Sequence, residues 1–85
     1  MTREEFIEKY GEVEVKFDYY YKYSFTFTGT ADDGLTIVSV VLGGNADNMY
    51  RSEVVNNQTF KVKNSYPYQG IAYKNGIEVD SFFDY

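Results

Sequence analysis

The chain has no histidine and no cysteine. That removes the side chain best suited to proton transfer near neutral pH, the thiolate nucleophile and the usual zinc ligands. Five serines remain: Ser24, Ser39, Ser52, Ser65 and Ser81. No imidazole is present to activate one, and G-x-S-x-G does not occur. Paired carboxylates can still do acid–base work. The adjacent pair Asp32-Asp33 precedes Gly34 and reads as a turn. With Asp47 it also lacks the spacing of a calcium loop. Gly43-Gly44 has neither the lysine of a P-loop nor a following helix signal. These residues assign no catalytic, metal or cofactor site. The expectation is a non-enzymatic protein without a cofactor.

Two patterns point instead to binding. Carboxylates gather near both ends of the chain: Glu4, Glu8, Glu12, Glu14 and Asp18 early, Glu78, Asp80 and Asp84 late, with no Lys or Arg after Lys74. Closely spaced carboxylates imitate a phosphate backbone and suit a basic groove. Tyrosines form the second pattern. Tyr20 breaks the phase of an otherwise alternating stretch, and Tyr66 and Tyr68 flank Pro67. Tyrosine combines large area with few rotatable bonds and is enriched at interface hot spots. The competing reading of each pattern is structural, as a solvated face and as a second small core. An exposed sheet edge is a third way to engage a partner strand or a second copy.

Charge narrows the partner class. Eight basic against thirteen acidic residues give a net charge of −5. Binding to nucleic acid rests on cations neutralising phosphates, so nucleic acid is not expected as a direct ligand. A protein with a basic surface is. No apolar stretch is long enough to span a membrane. Absent cysteine and the polar start Met1-Thr2-Arg3-Glu4-Glu5 suggest a reducing, intracellular setting.

The elements that must position these residues follow from periodicity. Thr2 and Glu5 form a capping box for a helix from Thr2 to Tyr10, with Phe6, Ile7 and Tyr10 on one face. Glu5 and Lys9 have the spacing of an i,i+4 pair, and Gly11 suits a left-handed end. From Glu12 to Ala31 apolar and polar residues alternate, Tyr20 excepted. This reads as one long strand. At about 3.3 Å per residue it would span roughly 66 Å, twice the ~30 Å width of such a domain. It must coil, bend near Gly29 or project into a partner. The alternative is two strands with a turn near Asp18–Tyr20, where no Gly, Pro or Asn marks one.

A turn on Asp33-Gly34 pairs Phe27 with Val40 and Phe25 with Leu42. Leu35 to Leu42 is apolar on both faces and reads as a central strand, with the helix covering its second face. Gly43 to Asn48 reads as a loop. Met49–Val55 and Thr59–Asn64 read as a hairpin that pairs Val54 with Phe60 and Ser52 with Val62. Gly70–Tyr73 and Ile77–Phe83 read as a last hairpin through Lys74-Asn75-Gly76. It pairs Tyr73 with Ile77 and Ile71 with Val79, turns Ile77 and Val79 inward, and turns Glu78 and Asp80 outward. The whole of residues 1–85 reads as one α+β domain: a short N-terminal helix on a strongly curved antiparallel meander of five to six strands, partly barrel-like.

In size, acidity, absent cysteine and absent motifs, the chain resembles the small acidic inhibitors that phages and mobile elements use against host defence, the anti-CRISPR proteins among them. The resemblance implies a cytoplasmic inhibitor that blocks a basic nucleic-acid-binding surface of a larger effector or nuclease. The alternatives are a self-associating β-module, with a homodimer as the simplest assembly, and a small-ligand or glycan-binding domain.

Overall fold

The structure is a computed structural model that describes residues 1–21, 24–41 and 58–84. The expected Gly43–Asn48 loop and Met49–Val55 strand, with its cross-strand pairs, lie outside the described residues. Helix α1 (Arg3–Tyr10) forms where its capping box starts it. Thr2 Oγ1 accepts from Glu5 N–H at 3.1 Å, and Glu5 Oε1 accepts from Thr2 N–H at 3.0 Å. Glu5 is thereby used as a cap rather than in the expected pair with Lys9. Gly11 is not left-handed as expected; its φ is −61°. A Cβ there would collide with the Ile7 carbonyl oxygen and lie 2.9 Å from Ile7 Cγ2, so close approach is what calls for glycine.

The alternating stretch is not one strand. β1 (Glu14–Tyr21) and β2 (Thr26–Thr30) are antiparallel neighbours, with Tyr21 opposite Thr26. The reversal falls later than Asp18–Tyr20, between Tyr21 and Thr26, where the sequence has no Gly, Pro or Asn. Phe25 takes φ +51°, a left-handed conformation rare for a bulky side chain. It is held there from the next strand, where Val41 N–H donates to Phe25 O at 3.1 Å. Pairing and burial outweigh a local strain of about 1–3 kcal/mol.

A bulge at Asp18 interrupts β1. Phe17 faces Gly29, but Tyr19 faces Thr28. One extra residue reverses the two faces. Val15 points into the core before the bulge, and Tyr20 points to it afterwards.

β2 and β3 (Leu35–Val40) join through Asp32-Asp33-Gly34. Ala31 N–H donates to Leu35 O at 2.8 Å, and Gly34 has φ +82°. This three-residue loop moves the register by one from expectation, setting Phe27 against Ser39. Leu35, Ile37 and Ser39 are buried on one face. A strand apolar on both faces gives no preference between the two registers.

β4 (Thr59–Lys61) pairs with β1 through Val15 and Phe60. It is shorter than expected, because Val62–Ser65 forms a helical turn, α2, ending at left-handed Tyr66. β5 (Gln69–Lys74) and β6 (Ile77–Phe83) close the sheet through a two-residue turn. Asn75 (φ +51°) and Gly76 (φ +84°) both take the positive φ of a type I′ turn. The expected three-residue loop is corrected accordingly. A bulge at Val79 follows, between the pairs Tyr73–Glu78 and Ala72–Asp80. Val79, the extra residue of the bulge, and Ile77, beside the turn, both expected inward, are 50 % and 70 % exposed, while Asp80, expected outward, is half-buried.

The strand order is β4-β1-β2-β3-β5-β6, all antiparallel. The sheet does not close, so the barrel-like expectation is corrected. β3 is interior, as its apolar faces indicated. Phe6 and Tyr10 of α1 and Val62 of α2 join Val15, Phe27, Ile37, Phe60, Ala72 and Phe82 in one core. Both helices thus lie on the same face of the sheet. Contrary to expectation, α1 does not cover the second face of β3; among the described residues, no element does.

Candidate protein-binding surface

The expected binding residues divide into three groups. α1 gathers the first group. Its Arg3 Nε donates to Pro67 O at 2.7 Å, its guanidinium lies 3.3 Å from Asp84 Oδ2, and its carbon sits 4.7 Å from the centre of the Tyr66 ring. Lys9 Nζ lies 2.7 Å from Asp80 Oδ2, and Tyr10 Oη donates to the same oxygen. Asp80 and Asp84 are therefore ligands for helix cations within the chain. Tyr66 is exposed but carries Arg3 on its ring, and Tyr68 is half-buried. Glu4 and Glu8 are exposed on α1. Glu12 follows the helix and pairs with Lys63 and, at 3.8 Å, with Lys61.

These contacts set the ionisation of the group. The hydrogen bond from Lys9, and then the one from Tyr10, hold the Asp80 carboxyl below its ordinary value. Lys9 is raised chiefly by the same bond, and Tyr10 is raised first by burial and then by Asp80. Lys63 lowers Glu12. At the far end of the sheet Lys74 lowers Asp33, 3.2 Å away, and the bond from Leu35 N–H adds to this.

The second group is the open face of the sheet. Glu14 and Lys16 alternate with buried Val15 and point away from the core. Asp18 sits in the bulge, where Thr30 Oγ1 donates to it. After the bulge Tyr19 and Tyr21 take the open face, 54 % and 46 % exposed. Their rings are parallel within 11°, with centroids 6.2 Å apart. Thr26, Thr28, Val38, Val40, Ile71 and Tyr73 continue this face across β2, β3 and β5 by register. Glu78 reaches it from β6, opposite Tyr73. β1 and β6 are separated by three strands, so Glu14 and Asp18 do not cluster with Glu78. Glu14, Asp18 and Glu78 are instead distributed over one open face.

The third group is Tyr20 alone. It was expected on the binding face but packs on Phe27, with ring centroids 4.7 Å apart. The tyrosines of β1 that reach the surface, Tyr19 and Tyr21, are the ones that the alternation places in the core. The signal that identifies them is Tyr20 itself, whose broken phase marks the bulge.

Electrostatics favour the outside. Eleven carboxylate residues and six cationic ones fall among the described residues. Arg3, Lys9, Lys61, Lys63 and Lys74 pair with Asp84, Asp80, Glu12 and Asp33. Seven carboxylates then stand outside these ion pairs against one cation, Lys16. Among the described residues no group of three carboxylates is placed to hold a metal ion, and no helix is long and apolar enough to cross a membrane.

The architecture belongs to the α+β class; among the described residues the helices lie on one side of one antiparallel sheet. No protein-family model, curated protein or solved structure matches the chain.

Proposed function

We propose that this is a non-enzymatic binding protein that seats the open face of its sheet on a basic surface of a larger protein and blocks it. The observation that carries the reading is the exposed Tyr19–Tyr21 pair. It stands on a face that no described element covers, in a chain whose cations, among the described residues, are mostly held in internal ion pairs. Two aligned phenol rings supply area and rigidity at low entropic cost. The surplus carboxylates steer a basic partner toward the face. Action as a cytoplasmic anti-defence inhibitor, with a nuclease or effector as the blocked partner, is the form of this reading that size and charge support.

The self-association alternative drew its support from a strand too long for the domain, and that strand is a hairpin. The ligand-module alternative requires a cleft between helix and sheet. There the Phe6 ring packs 4.8 Å from Tyr10 and 5.0 Å from Phe82.

The test is affinity capture from a bacterial lysate with wild type and the Tyr19→Ala/Tyr21→Ala variant. Capture of a basic protein by wild type, lost in the variant while folding is unchanged, supports the proposal. Equal capture by both overturns it.

A further inference from the structure

We propose that the outer edge of β6 is a strand-addition site for an extended, basic segment of a protein partner. This site borders the open face, to which Glu78 also belongs, but lies three strands away from the Tyr19–Tyr21 pair. β6 ends the sheet, with β5 its neighbour. Asp84 N–H donates to Tyr68 O at 2.8 Å, which sets the phase of the ladder. Antiparallel bonds alternate, so Phe82 and Asp80 turn their backbone groups to β5, while Ser81 turns its own away. From that outer side the amino-terminal ammonium donates to Ser81 O at 3.3 Å. The two-residue turn makes Lys74–Ile77 a bonded pair, so Glu78 also faces outward. Ile77 beside the turn and Val79 in the bulge are exposed and offer apolar contact along the same edge.

Charge selects the occupant. Glu78 is exposed and makes none of the ion pairs among the described residues. A second copy pairing antiparallel about Ser81 would set Glu78 against Asp84 twice. Like charges directly opposite destabilise a strand pair. A strand carrying Lys or Arg at the position facing Glu78 reverses that sign. Main-chain bonds then give affinity, and the carboxylate gives direction and preference.

The probe is a short synthetic peptide of alternating lysine and valine, titrated into isotope-labelled protein and followed by amide resonances. Its control replaces lysine by glutamate. The proposal expects the Glu78 and Ser81 amides to respond to the basic peptide and to exchange more slowly with solvent. Tyr19→Ala/Tyr21→Ala should leave this response intact. The charge reversal Glu78→Lys, at a position that tolerates change, should weaken the basic peptide by about two- to fivefold and favour the acidic one. Equal response to both peptides, response confined to the tyrosine face, or dimerisation through β6 without peptide would each overturn the proposal, and so would no response at all.

Discussion

The Tyr20 ring stacks on Phe27 at 4.7 Å, while Tyr19 and Tyr21 point to the opposite face of the same strand. This relationship depends on Asp18, the extra residue of the β1 bulge. Without the bulge, Tyr19 and Tyr21 would face the core, and Tyr20 would take their place outside.

The bulge makes a testable separation between three adjacent tyrosines. Tyr20→Ala should lower stability by about 2–4 kcal/mol through lost packing. Tyr19→Ala and Tyr21→Ala should each change it by less than about 0.5–1 kcal/mol. Urea unfolding of the three variants checks this. Equal losses at all three positions would contradict the face assignment.

Phe27 is fully buried between Tyr20 and Phe60. Phe27→Ala should cost about 3–5 kcal/mol. That is a large part of what a domain of this size has, so the variant should be largely unfolded at 37 °C. A native-like near-ultraviolet spectrum at that temperature would show that the core is built otherwise.

Helix and capping box were legible because both signals are local: Thr2 and Glu5 are three residues apart, and Phe6 and Tyr10 share a face. The antiparallel α+β class was legible from alternation. The hairpin was not, because its turn lacks Gly, Pro and Asn, and Phe25 adopts its φ under constraint from Val41. Hairpin registers failed at Gly34 and Gly76 for a related reason. A glycine with positive φ suits both a two- and a three-residue loop, and burial of the whole sheet decides between them. The carboxylates were recognised as a group, but their partners were not. Lys9–Asp80 and Arg3–Asp84 join residues over seventy positions apart, a proximity that only the fold creates.

Two glycines should respond differently to the same change. Gly76→Ala meets no atom within 4 Å and carries only the strain of φ +84°, about 1–2 kcal/mol. At Gly70 a Cβ would lie 2.7 Å from Phe82 Cε1 and 2.8 Å from Phe6 Cε1. Gly70→Ala should therefore disturb the seat of α1 and cost about 1–3 kcal/mol. Thermal unfolding gives both values; helix-directed amide exchange should change for Gly70→Ala alone.

Stability should fall at both ends of the pH scale. Asp80, Glu12 and Asp33 have lowered values in the folded state. Their contribution is complete above the unfolded carboxylate range, about pH 4, and is lost as pH falls through the folded values. Lys9 and Tyr10 are raised, so their contribution is complete below about pH 10 and is lost as pH rises further. Asp80→Asn should flatten part of both flanks, because Asp80 touches both the Lys9 ammonium and the Tyr10 phenol. Melting temperatures across pH for wild type and variant test this; parallel curves would contradict it.

The central claim is that Tyr19 and Tyr21 form the docking surface. Its most direct measurement is affinity capture with wild type, Tyr19→Ala/Tyr21→Ala and Glu4→Gln/Glu8→Gln, each washed through a salt series. The prediction is a basic protein held by wild type, released as salt rises, held more weakly by the glutamine variant and lost with the tyrosine variant at every salt concentration. A partner retained by the tyrosine variant and lost with the glutamine variant would place the binding surface on α1 and contradict the account.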